Sequence, residues 1–108
     1  MVKNLLHRFR RLGARQGDFV VEVGSGNDPY WRSDVLIDKY VADSSERPGG
    51  VAPLVIDRPL VVADGLQLPF RDGTVDCLVA RNLLEHIVDV EDLIGEMVRV
   101  ARGGYVTT

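Results

Sequence analysis

The sequence predicts an α/β fold, a parallel β-sheet with helices on both faces, from three observations. Short runs that are apolar almost throughout recur at 19–23, 35–37, 60–63 and 75–80, as strands covered on both sides require. Longer connections separate them, the pattern of crossovers in a parallel sheet. Each run also ends in glycine or a polar residue. In an open parallel sheet, right-handed crossovers bring those ends to one rim, where ligands bind.

In chain order, Leu5, Leu6, Phe9 and Leu12 recur at helical spacing and Gly13 stops the pattern, so residues 2–12 read as an amphipathic helix. Residues 1–17 are expected to form a basic N-terminal element holding Lys3, Arg8, Arg10, Arg11 and Arg15. That element is read as a solvated face or as a surface for phosphate or a partner. Phe19–Val23 is the first core strand, and Gly24-Ser25-Gly26 turns the chain at its end. Glycine without a Cβ lets such a backbone approach a ligand closely. The second strand, Val35–Ile37, ends in Asp38, and the third, Leu60–Ala63, ends in Asp64 followed by Gly65. The fourth, Val75–Ala80, leads into Arg81-Asn82, with Glu85 and His86 a turn later. A helix over 90–102 follows, with Asp89 as its N-cap and Leu93, Ile94, Met97 and Val98 on its buried face. Gly103-Gly104 is expected to end it, and Tyr105 to begin a fifth strand.

Composition narrows the function classes. The 108 residues make a single domain, 45% hydrophobic, with a net charge of −3 that opposes general nucleic-acid binding. Cys77 is the only cysteine and lies in an apolar run, so it reads as core packing in a reducing, cytoplasmic setting. No apolar run reaches the ~18 residues of a membrane span, and no signal peptide is visible. No metal-ligating constellation stands out.

These features in this order resemble class I S-adenosylmethionine-dependent methyltransferases of the broad small-molecule type, over roughly residues 18–108. Val20-Val21-Glu22-Val23-Gly24-Ser25-Gly26 is similar to that family's first motif, and Asp38 stands where its ribose-binding acid stands. Ala63-Asp64-Gly65-Leu66-Gln67-Leu68-Pro69-Phe70 resembles its adenine-side motif. The best match is 72–80 with Leu83-Leu84-Glu85-His86 and Glu96–Arg102. The resemblance implies a Rossmann-like sheet ordered 3-2-1-4-5. It implies S-adenosylmethionine as cofactor, bound through Glu22, Gly24, Ser25, Gly26, Asp38, Asp64, Gly65 and Asn82, and a small-molecule methyl acceptor.

Chemistry agrees with those roles. A carboxylate such as Asp38 can accept both hydroxyls of a ribose diol, and Asp64 suits an adenine amine. An acidic rim has the right sign for a sulfonium cation. Other readings stay open: Glu22 orients the glycine loop, Asp64 only forms a turn, Asn82 is a plain loop residue, and His86 serves a structural turn. A non-catalytic nucleotide-binding or interaction module is the alternative function. A nicotinamide dehydrogenase ranks lower, because Pro29 stands where G-x-G-x-x-G needs its last glycine.

The chain departs from the family at two places. Only residues 24–34 connect the first two strands, too few for a full helix, and Tyr30 and Trp31 are expected to cover the sheet there. The sequence stops just into the fifth strand, so the family's last strands are expected to be missing. The bare fifth-strand edge is then expected to make the chain unstable or self-associating.

Overall fold

The computed structural model describes residues 11–12, 14–39, 55–81, 83 and 87–107. Within them the chain forms strands β1 (Arg11–Leu12), β2 (Val20–Val23), β3 (Val35–Asp38), β4 (Leu60–Val62), β5 (Val75–Arg81) and β6 (Ala101–Thr107), and helix α1 (Val90–Val100). All pairings are parallel, and the six strands run β1-β6-β5-β2-β3-β4 across one sheet. Apart from β1, this is the order 3-2-1-4-5 read from the sequence.

The four core strands form where β-branched and apolar residues run without a break, and burial follows from their central place. All four residues of β2 are buried, as are Cys77 to Ala80 of β5. Side chains alternate across a strand, so β2 sends Val21 and Val23 to one face and Val20 and Glu22 to the other. The first face packs against α1 through Ile37, Leu78, Ala80, Leu93, Ile94, Met97 and Val100. On the second, Tyr30 and Ala14 pack on Val20, Cys77 and Val79.

Four expectations need correcting. Residues 11–12 are not helical; they pair with Gly103 and Gly104 as β1, and residues 1–10 lie outside the described residues. The helix ends at Val100 rather than 102, and Gly103-Gly104 does not stop it but lies within β6. Flanked there by β5 and β1, these two residues gain ladder bonds on both sides, which offset the entropy that glycine loses in a strand. Asp89 does precede α1, but its side chain makes no capping bond; Glu91 and Asp92 supply the first-turn negative charge. Finally, the fifth-strand edge is covered in part, since β1 pairs with it at Gly103 and Gly104.

The β4–β5 connection is fixed to α1 by one arginine. Arg99 pairs with Glu96 at 2.6 Å and Asp72 at 2.7 Å, and donates to the carbonyls of Phe70 and Leu68. Glu96 in turn accepts from the Leu68 amide at 2.6 Å. Arg99, followed by the Leu68 amide, holds the Glu96 carboxyl below its ordinary 4.5. A depressed folded value stabilises above the unfolded pKa, and that contribution fades as pH falls through the folded one. The melting temperature is therefore expected to drop as pH falls below about 4.5. Glu96→Gln should lower it at pH 7 and flatten that acid limb. An unchanged limb in thermal melts from pH 7 to pH 3 would assign acid sensitivity elsewhere.

Candidate functional site

Since the strands are parallel, the C-terminal ends of β2, β3, β4 and β5 share one rim, and Gly24, Ser25, Gly26, Asp38, Asp64 and Gly65 lie at or just past the ends of β2, β3 and β4 there. The chain leaves β2 through Gly24 and Gly26, both with positive φ (67° and 61°). The Gly24 amide bonds the Ile37 carbonyl at 2.8 Å, tying the turn to β3. Gly24 is glycine for a second reason: a Cβ there would lie 2.8 Å from Leu83 Cδ1. Ser25 is buried, and its Oγ has no hydrogen-bond partner. Leaving such a hydroxyl unpaired costs about 1–3 kcal/mol.

Glu22 is 1% exposed and faces the returning chain rather than open solvent. Its Oε1 accepts from the Tyr30 amide at 2.8 Å and the Ser33 hydroxyl at 2.9 Å. Its Oε2 lies 3.5 Å from Arg81 Nε. This carboxylate therefore holds the helix-free connection 24–34 against the sheet. Other groups complete the job: Asp34 accepts from the Val20 amide, and Arg58 donates to the carbonyls of Tyr30 and Ser33. Backbone groups that a helix would have paired internally are satisfied here by side chains.

Tyr30 covers the sheet as expected, stacked on Tyr105 (6.2 Å, 21°) and beneath the Arg81 guanidinium, whose carbon lies 5.5 Å from the ring centroid. Trp31 does not. It is 78% exposed and meets the Tyr30 ring edge-on.

Asp38 ends β3 and is buried, 7% exposed. Asp64 is half exposed and forms an Asx turn, accepting from the Leu66 amide at 2.9 Å. Its other oxygen lies 3.4 Å from Lys39 Nζ. The Leu66 amide and then Lys39 draw its pKa below the ordinary carboxylate value, so it stays ionised well into the acid range. Gly65 packs tightly, since a Cβ would meet Leu93 Cδ1 at 2.9 Å and Val23 Cγ1 at 3.1 Å. Asn82, Glu85 and His86 lie outside the described residues.

Arg81 is the residue that sequence reading passed over. It ends β5 and reaches back to the glycine turn, donating through Nη2 to the Asp28 carbonyl. An arginine closing an apolar strand at the rim was the available signal. An open cleft of about 520 Å³ lies elsewhere, lined by residues 14–17 and 30–32. It includes none of the rim glycines or acids. Among the described residues no cluster of three or more His, Cys, Asp or Glu could hold a metal, and no helix is long and apolar enough to cross a membrane.

The methyltransferase domain family matches residues 21–107. The chain is 42% identical over 96 residues to demethylmenaquinone methyltransferase of Corynebacterium urealyticum, covering 88% of this chain and 42% of that protein. It is 46% identical over 43 residues to norajmaline N-methyltransferase of Rauvolfia serpentina, covering 40% of this chain and 15% of that one. A solved S-adenosylmethionine-dependent methyltransferase of Thermotoga maritima superimposes with a TM-score of 0.64 at 16% identity, covering 97% of this chain and 49% of that one. The chain thus spans less than half the length of each of these relatives.

Proposed function

Because the chain belongs to the methyltransferase domain family, we propose that it is the cofactor-holding part of an S-adenosylmethionine-dependent methyltransferase acting on a small molecule. The observation that carries the reading is the buried, unpartnered Ser25 hydroxyl inside a turn of two positive-φ glycines, on the same rim as buried Asp38. An orphaned polar atom beside backbone free of Cβ groups fits a polar ligand that comes close to the main chain.

On this reading Gly24, Ser25 and Gly26 receive the amino-acid portion of the cofactor and Asp38 the ribose hydroxyls. Asp64 faces the adenine side with lone pairs not used by Leu66, and Gly65 keeps the strand end thin there. Asn82, which follows β5 in the chain, is assigned to the cofactor by the family resemblance alone. Glu22 acts behind this layer, by fixing the loop. The cofactor supplies a methyl group already activated on a sulfonium, so transfer is an in-line displacement that needs no protein nucleophile. With Arg81 beside Glu22 and Lys39 beside Asp64, the further carboxylates Asp28 and Asp38 leave the rim with a negative balance that favours a cationic ligand. Positioning and charge are what these residues contribute.

Calorimetric titration of the chain with S-adenosylmethionine and with NAD tests the proposal. Binding of the methyl donor alone is expected. NAD alone would favour a different nucleotide site, and binding of neither would favour an interaction module. Asp38→Ala should weaken donor binding by about tenfold or more, the worth of hydrogen bonds to a charged group. Unchanged affinity would remove Asp38 from the ribose.

A further inference from the structure

The amino-acid end of this cofactor poses a problem that the fold leaves open. An anion at a strand end is ordinarily met by the N-terminus of the following helix, with its free amides and partial positive charge. Here β2 is followed by turns alone, from Gly24 to Asp34, so no helix supplies that charge. Arg81 brings a positive charge to this turn from the other direction. It comes from the neighbouring strand β5 and contacts the turn at Asp28, through the Asp28 carbonyl and, at 4.0 Å, through its carboxylate. Its guanidinium is steadied by Tyr30 beneath it and Glu22 behind it. Even so, its Nε is buried without a hydrogen bond.

Asp28 is different in kind. Its side chain is 87% exposed, and at 4.0 Å it is too far from Arg81 for a hydrogen bond. A loose pair of opposite charges, with one member anchored and the other in solvent, matches a zwitterion that can replace each partner by a closer one. We propose that Arg81 and Asp28 form the subsite for a zwitterionic α-amino-acid head group, Arg81 taking its carboxylate and Asp28 its ammonium. Ser25, in the same turn, lies beside this pair in the chain and offers its unpaired hydroxyl. The inference rests on the cofactor reading above and assigns to it two residues that the family's motifs do not supply.

The test compares two ligands that share a nucleoside and a thioether. S-adenosylhomocysteine carries the amino-acid head, and 5′-methylthioadenosine lacks it. Wild-type protein should bind the first more tightly. Arg81→Ala should weaken S-adenosylhomocysteine by about tenfold or more and leave 5′-methylthioadenosine within about twofold. Arg81→Lys should recover part of the loss, because charge returns without the planar fork. Asp28→Ala, at an exposed position, should weaken only the headed ligand by about threefold or more while the melting temperature stays put. Equal losses for both ligands would make Arg81 a structural residue and overturn the proposal. So would equal affinity of the wild type for the two ligands, which would leave the cofactor reading standing. Failure of the wild type to bind either ligand would remove both.

Discussion

Glu22→Ala is expected to cost about 3–5 kcal/mol of folding stability, the range for removing one partner of a buried charge pair. The loss has three parts. The Tyr30 amide and the Ser33 hydroxyl lose their acceptor, and Arg81 loses the carboxylate 3.5 Å from its Nε. Glu22 is 1% exposed, so the Tyr30 amide and Ser33 hydroxyl lose a buried acceptor rather than one shared with solvent. For a domain of this size such a cost is a large share of total stability. Glu22→Gln keeps an acceptor of the same shape and gives up only the charge, so it should cost about 1–3 kcal/mol. Urea unfolding of both variants checks the order. A Glu22→Ala cost under about 1 kcal/mol, or a Gln variant as damaged as the Ala one, would mean that the loop is held by Arg58 and Asp34 instead.

That role shows where sequence reading reaches its limit. An acid in the middle of an apolar strand announces that it matters, and alternation places it opposite Val21 and Val23. Whether it meets ligand or loop depends on how residues 24–34 fold back, and that is set by Tyr30, Ser33 and Arg58, up to 36 positions away in the chain. The core strands were legible because each is a dense apolar run, and their ends agree with expectation to within a residue or so. Helix α1 was legible from the spacing of Leu93, Ile94 and Met97. By contrast β1 was not, since two residues carry no period and Arg11-Leu12 continued a helical spacing. Gly103 and Gly104 misled for the opposite reason: glycine is a strong local signal for stopping a helix, and here a pairing on both sides outweighs it. Local preference decided the elements whose burial was continuous, and non-local pairing decided the rest.

Gly24→Ala carries the other large effect, and Gly73 supplies its control. Both glycines have a φ of 67°, so alanine at either site meets the same left-handed penalty of about 1–2 kcal/mol. Their surroundings differ. Nothing lies within 4 Å of a Cβ at Gly73, whereas at Gly24 it would meet Leu83 Cδ1 at 2.8 Å, Cδ2 at 3.2 Å and Cγ at 3.4 Å. The 2.8 Å contact is a clash and the 3.2 Å one is tight, while Cγ sits at ordinary contact distance, so the end of the Leu83 side chain must shift. Overpacking of this kind adds about 1–3 kcal/mol, so Gly24→Ala should cost about 2–5 kcal/mol and Gly73→Ala only the backbone part, about 1–2 kcal/mol. In a Leu83→Ala background the excess at Gly24 should vanish and the backbone penalty should remain, which a double-mutant cycle reads directly. Gly24→Ala should also weaken S-adenosylhomocysteine more than its stability loss explains, since the turn displaced by Leu83 is the one that holds Ser25. Equal costs at Gly24 and Gly73 would show that Leu83 yields freely, and that the turn is glycine for its backbone alone.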